Sequence, residues 1–272
     1  MPHAQSHNAR IHYQVVGDGP PLVLYHAFCG SLHDWHEFGY VERLAPHYRL
    51  LLLDARGHGD SDKPEDPDAY ALDMMADDVL AVLDVEGLDS AHYWGYSMGG
   101  RVGFALAHQA AERLRSLIIG GIHPYPQNPE GIQRRIATWR RGLATIEGHM
   151  AAGFGPAWSE AQRTRFMAND LQSMIAYLQA LYVSARAETS GERTATHIPA
   201  PALYYVGTED VIFYPQARRF AKQHPAIHWR PLAGLDHYAA YYCAEVVAPM
   251  VLAFLQDIAG AAEHRPPPNG RP

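Results

Sequence analysis

Gly95-Tyr96-Ser97-Met98-Gly99 has the residue types and spacing for nucleophilic chemistry. A serine hydroxyl attacks a carbonyl only when it stands in the open beside a base. The G-x-S-x-G pattern belongs to a sharp strand-to-helix turn that thrusts the hydroxyl outward. Glycines are needed on both sides because a Cβ there would strike the crowded strand and helix. The amide of Met98 points the same way as the hydroxyl and is a candidate oxyanion donor.

A serine nucleophile needs a base, and the base needs an acid to orient it. In a strand–turn–helix arrangement of this kind the partners follow as serine, acid, histidine, each on a loop after a later strand. Asp210 follows the apolar run Ala202-Leu203-Tyr204-Tyr205-Val206 and is the natural acid, with Glu209 as its competitor. His237 lies after the last expected strand and before the closing helix. His224 and His228 flank the preceding strand instead, and Asp236 reads as a surface or capping carboxylate. The second oxyanion amide is expected from the loop His26-Ala27-Phe28-Cys29-Gly30-Ser31, with Phe28 as the candidate. His26, Tyr96, Trp139, Phe154 and Tyr182 are the expected substrate-binding side chains.

These groups need a scaffold to hold them. Residues 22–25, 50–53 and 117–119 are short all-apolar runs, as expected for strands buried on both faces of a parallel sheet. Residues 9–16 alternate and read as an antiparallel edge strand; the β-prone run that ends at Trp94 before Ser97, 202–206 and 227–229 complete the set. Helices are expected at 35–46, 71–85, 101–108 and 246–255. The alternation predicts an α/β fold, a doubly wound and mostly parallel sheet of about eight strands flanked by helices. Residues 122–198 break the rhythm with helical patterns at 131–146, 161–167 and 171–184. They are expected to form a helical cap between two late strands, over the carboxyl edge where open α/β sheets bind ligands. The core then comprises 1–121 and 199–263, and the proline-rich 264–272 is expected to be a disordered tail.

The chain has 272 residues, 47% of them hydrophobic and 19% charged, with a formal charge of −7. That balance argues against a nucleic-acid or anionic-membrane surface. No stretch approaches a membrane span and no signal peptide is evident. With two cysteines, Cys29 and Cys243, a disulfide framework is excluded and free thiols in the cytoplasm are expected. Despite 17 histidines there is no H-E-x-x-H and no Cys-His cluster at zinc spacing, so no metal is expected. His33, Asp34 and His36 read as a solvated loop. Arg134, Arg135, Arg140 and Arg141 could attract an acidic substrate, but read as a solvated helix face.

Four segments together, residues 26–31, 54–61, 95–100 and 207–210 with His237, resemble the α/β-hydrolase superfamily over nearly the whole chain. The resemblance implies a structural role for Arg56 and His58 in Asp54-Ala55-Arg56-Gly57-His58. It departs at Ala27, where the family usually has glycine. A serine at the elbow excludes the alkyl-ester chemistry of dehalogenases and epoxide hydrolases of this fold, which use aspartate. The expected function is a cofactor-free serine hydrolase of a small carboxylic ester or lactone, a monomer or homodimer. The alternatives are a C–C bond hydrolase, a cofactor-free perhydrolase and a hydrolase-like ligand-binding protein.

Overall fold

The structure, a computed structural model, describes residues 2–155, 158–186, 198 and 200–263. The expected tail at 264–272 and the expected cap residues 187–197 lie outside the described residues.

Eight strands form one open sheet in the order β1-β2-β4-β3-β5-β6-β7-β8. They are β1 (His3–Ser6), β2 (Ala9–Val16), β3 (Pro21–Tyr25), β4 (Arg49–Leu53), β5 (Ala91–Tyr96), β6 (Leu114–Gly120), β7 (Ala202–Gly207) and β8 (His228–Leu232). β1–β2 and β2–β4 pair antiparallel; every other pair is parallel. The all-apolar runs have their cause in two cores. Side chains alternate across a strand, so Leu22, Leu24, Leu50, Leu52 and Trp94 pack on one face. Val23, Tyr25, Leu51, Leu53 and Tyr93 pack on the other.

The edge strand is β1, not residues 9–16: four residues with polar His3, Gln5 and Ser6 carry too little apolar signal to be read as a strand. The helix expected at 35–46 is two, α1 (His33–Glu37) and α2 (Tyr40–Leu44), because Gly39 takes φ 80° between them. α3 (Leu72–Val85) buries Met75, Val79 and Val82 at helical spacing. α4 (Met98–Gln109) follows the elbow.

Between β6 and β7 run α5 (Pro129–Trp139), α6 (Leu143–Phe154), α7 (Glu160–Met167) and α8 (Leu171–Arg186). Local chemistry starts them: the Asn128 side chain accepts the Glu130 N–H ahead of Pro129, and Ser159 and Gln162 form a reciprocal capping box. The helical pattern read at 131–146 breaks at Arg140–Gly142, where Gly142 has positive φ. α9 (Tyr214–Gln223), α10 (Ala239–Tyr242) and α11 (Ala244–Glu263) complete the chain. α9 escaped the sequence reading because charged residues surround its buried Ala217 and Phe220. Among the described residues no helix is long and apolar enough to cross a membrane.

Parallel pairing brings the carboxyl ends of β3, β5, β7 and β8 to one edge. The segments holding Phe28, Ser97, Asp210 and His237 leave the sheet there.

Candidate active site

Ser97 lies between β5 and α4 with φ 51° and ψ −103°. A non-glycine residue in that region costs about 1–3 kcal/mol and persists only where its surroundings impose it. The Ser97 N–H donates to the Gly120 carbonyl at 2.8 Å. A Cβ at Gly95 would overlap the Gly99 carbonyl, and one at Gly99 the Tyr25 carbonyl. The glycines therefore let α4 start hard against β3 and β5, with the serine at the apex.

Asp210 is 3% exposed, and its Oδ2 accepts a 2.7 Å hydrogen bond from His237 Nδ1. Its Oδ1 accepts the backbone N–H groups of Ile212 and Phe213 at 3.2 and 3.0 Å. Both oxygens are thus committed, and the carboxylate holds the imidazole by its Nδ1 edge. Glu209 is exposed on the same turn, which leaves the contact to Asp210 alone. The Tyr96 hydroxyl donates to the His237 carbonyl at 2.6 Å, and the His237 ring lies 5.1 Å from Phe213. Asp236 caps α10 by accepting the Ala239 N–H. Ser97 and His237 line one cavity of about 1380 Å³.

The loop after β3 is tied down residue by residue. The Ala27 N–H donates to the Tyr241 hydroxyl at 3.2 Å, Cys29 N–H to His58 Nε2 at 3.1 Å, and Gly30 N–H to the Ala27 carbonyl. The Phe28 N–H has no acceptor among the described residues. Met98, the first residue of α4, has no intrahelical acceptor for its N–H. Both expected oxyanion amides are therefore unpaired.

His26 was expected to touch substrate, but it does not line the cavity. Fully buried, it accepts the Ala55 N–H at Nε2 (3.0 Å), holds the Ala27 carbonyl at Nδ1 (2.7 Å) and gives its own carbonyl to Gly99 N–H. Burial lowers its pKa and keeps the ring neutral. It pegs the loop to the elbow. His58 is likewise buried, with its pKa pushed down to about 3 by desolvation. Arg56 binds Asp78 through Nε at 2.7 Å deep in the fold. Asp54 receives the N–H groups of Leu32 and Asp60 together with His12 Nδ1. The segment 54–61 is a brace beneath the loop.

On the wall of the same cavity, the Phe28 ring stacks on Tyr177 at 5.0 Å and meets Trp139 at 5.2 Å. Tyr96, Trp139 and Phe154 line the cavity. Tyr182 does not: its hydroxyl accepts Gln133 Nε2 at 2.7 Å on the outer side of the helices. Of the four arginines on and after α5, Arg134 and Arg135 line the cavity while Arg140 and Arg141 do not.

Two cavity groups escaped the sequence reading. Arg101, 6% exposed, was seen only as part of an amphipathic helix; its place four residues after Ser97 was the available signal. Asp34, read as part of a solvated loop, is buried and receives the Tyr241 hydroxyl at 3.1 Å. Desolvation raises its pKa to about 7, opposed by that hydrogen bond and by Arg165. Between about pH 4 and pH 7 the folded chain holds a proton that the unfolded chain has released, so stability falls as pH rises through this window. Asp34→Asn keeps an acceptor for Tyr241 and removes the titration. In thermal unfolding, the Tm of the variant relative to wild type should increase from pH 4 to pH 8. A pH-independent offset would show that Asp34 is not the titrating group.

A family model described as the alpha/beta hydrolase fold matches residues 20–173. The crystal structure of an enol-lactonase from Burkholderia xenovorans superposes with a TM-score of 0.81 at 25% identity, covering 94% of this chain and 100% of that one. A thermophilic esterase from Thermogutta terrifontis gives a TM-score of 0.82 at 22% identity over 94% and 98%, a likeness of fold. The 2-succinyl-6-hydroxy-2,4-cyclohexadiene-1-carboxylate synthase of Klebsiella pneumoniae is 29% identical over 77% of this chain and 85% of its own. Against two further curated relatives, from Azorhizobium caulinodans and Bacillus subtilis, the chain spans 43% and 42% of their length.

Proposed function

The chain belongs to the α/β-hydrolase family, and from that membership we propose that it is a serine hydrolase cleaving a small carboxylic ester or lactone through an acyl-enzyme. The observation that carries this reading is the strained Ser97 sharing one cavity with a His237 that Asp210 orients.

Ser97 Oγ attacks the carbonyl carbon while His237 Nε2 takes its proton. Asp210 accepts from Nδ1–H, which fixes the tautomer and supports the imidazolium. The carbonyl oxygen becomes an oxyanion that receives the unpaired N–H groups of Phe28 and Met98. Removing one such donor typically costs about 3–4 kcal/mol of transition-state stabilisation. As the tetrahedral intermediate collapses, His237 protonates the departing alkoxide. A water, deprotonated by His237, then attacks the acyl-enzyme and Ser97 Oγ regains its proton. The helices between β6 and β7 act as a cap, with Trp139 and Phe154 setting the size of the bound group.

The test is turnover of short-chain p-nitrophenyl esters, simple lactones and a ring-fission diketone by wild type and Ser97→Ala side by side. Ester or lactone hydrolysis that disappears in the variant supports the reading. Cleavage of the diketone alone would replace it with C–C bond hydrolysis. Tight binding without turnover of any of them would replace it with a receptor.

A further inference from the structure

Among the described residues, Arg101 is the one buried arginine whose guanidinium the fold leaves wanting. Its Nη2 has no hydrogen-bond partner, and it enters no ion pair among the described residues. Arg56 shows what satisfaction looks like in the same protein: Asp78 takes two of its nitrogens, and the carbonyls of Ala69 and Met74 take the remaining contacts. A buried charge is costly unless paired, so a guanidinium kept without a partner on a cavity wall marks a place for an anion.

The surroundings have the matching sign. Arg101, Arg134, Arg135 and Arg219 all line the cavity, and among the described residues the one carboxyl on the same lining is Asp34, which burial holds toward its neutral form. The Arg135 guanidinium lies 5.8 Å from the centroid of the Phe28 ring, so it hangs beside the expected oxyanion loop. His123, next to Arg101, is kept neutral by burial, and its Nδ1 is also without a partner.

Position completes the argument. Residues four apart lie on the same face of a helix with a rise of about 6 Å. Arg101 is four residues beyond Ser97, the N-cap of α4. An anion on its guanidinium would therefore sit a few bonds from an acyl carbon on Ser97.

We propose that the substrate carries a free carboxylate, received by Arg101 with Arg135 as the second cation, a few carbon atoms from the scissile carbonyl. The substrate class is then the half-ester of a short dicarboxylic acid, or a lactone bearing a carboxylate, rather than a neutral ester. This rests on the serine-hydrolase reading for the cleavage step, while the anion site stands on its own geometry.

The experiment compares monoethyl succinate with its neutral isostere ethyl 4-methylpentanoate, following proton release, in wild type, Arg101→Met and Arg101→Lys. Wild type should prefer the half-ester by about tenfold to a hundredfold in kcat/KM, the range expected for charge-assisted hydrogen bonds. Arg101→Met should bring that ratio close to one, and Arg101→Lys should restore part of it. Arg101→Met should also raise Tm, since it removes an unpaired buried charge; a purely structural arginine would lower it. Independently, succinate should bind Ser97→Ala by calorimetry, weaken with added salt, and bind less tightly once Arg135→Ala is added.

The failures separate. Equal turnover of both esters by wild type, with no succinate binding, overturns the carboxylate site and leaves the hydrolase. Succinate binding that depends on Arg135 in a protein that cleaves neither ester supports the site and overturns the hydrolase. A preference that survives Arg101→Met unchanged overturns the assignment to Arg101.

Discussion

Ser97→Ala is expected to lower kcat by on the order of 10⁶, the scale seen when a triad nucleophile is removed. The covalent route is lost outright, and only whatever the unpaired Phe28 and Met98 amides contribute to direct attack by water remains. The fold should be untouched, since the Ser97 contact to Gly120 is made by the backbone. Alanine must still adopt φ 51°, so a small loss of Tm is expected. Intact-mass analysis after a fluorophosphonate probe should show one adduct on wild type and none on the variant. An adduct that survives in Ser97→Ala places the nucleophile elsewhere.

Asp210→Asn is expected to lower kcat by about 10²–10⁴ with little loss of stability. Asparagine can still accept the Ile212 and Phe213 N–H groups through its carbonyl oxygen, so the turn before α9 keeps its bonds. Its NH₂ group, however, meets His237 Nδ1 as a donor where a carboxylate accepted. The ring must then carry its proton on Nε2, the atom that has to receive one from Ser97. The exposed Glu209 is the control, and Glu209→Gln should change kcat by less than about twofold. If Glu209→Gln is the crippling change instead, the two carboxylates exchange roles.

The central strands β3 and β4 were legible because both their faces are buried. No polar residue interrupts 22–25 or 50–53, and a run of that kind has few alternatives. The elbow was legible because its constraint is local: Gly95 and Gly99 are dictated by atoms a few residues or one strand away. The helix pair α1–α2 was misread as one because periodicity continues through Gly39 and only its backbone angle breaks it. Asp34, His26 and Arg101 are a different kind of miss. Which of them faces the cavity, and which has a partner, depends on residues far off in the chain, such as Tyr241 for Asp34 and Ala55 for His26. No short window of sequence around Asp34 or His26 contains that information, whereas the four-residue spacing from Ser97 was there to be read for Arg101. Tyr182 shows the same limit from the other side, one helical position away from cavity-lining Leu181 yet turned toward Gln133.

The chain leaves the sheet at the end of β6 and returns on β7, its immediate neighbour, with Leu117 paired to Ala202. The sheet itself therefore fixes both ends of the helical insert, one at the carboxyl end of β6 and the other at the amino end of β7. Closing a loop between fixed neighbours costs free energy only logarithmically in its length, about 0.6 kcal/mol per doubling. Residues can therefore be added in the links between its helices at little loop-closure cost, provided the core residues Ile132, Trp139, Met174 and Leu178 stay in place. Under the proposed function, the cavity wall supplied by this insert can then change shape while the segments holding Ser97, Asp210 and His237 stay as they are.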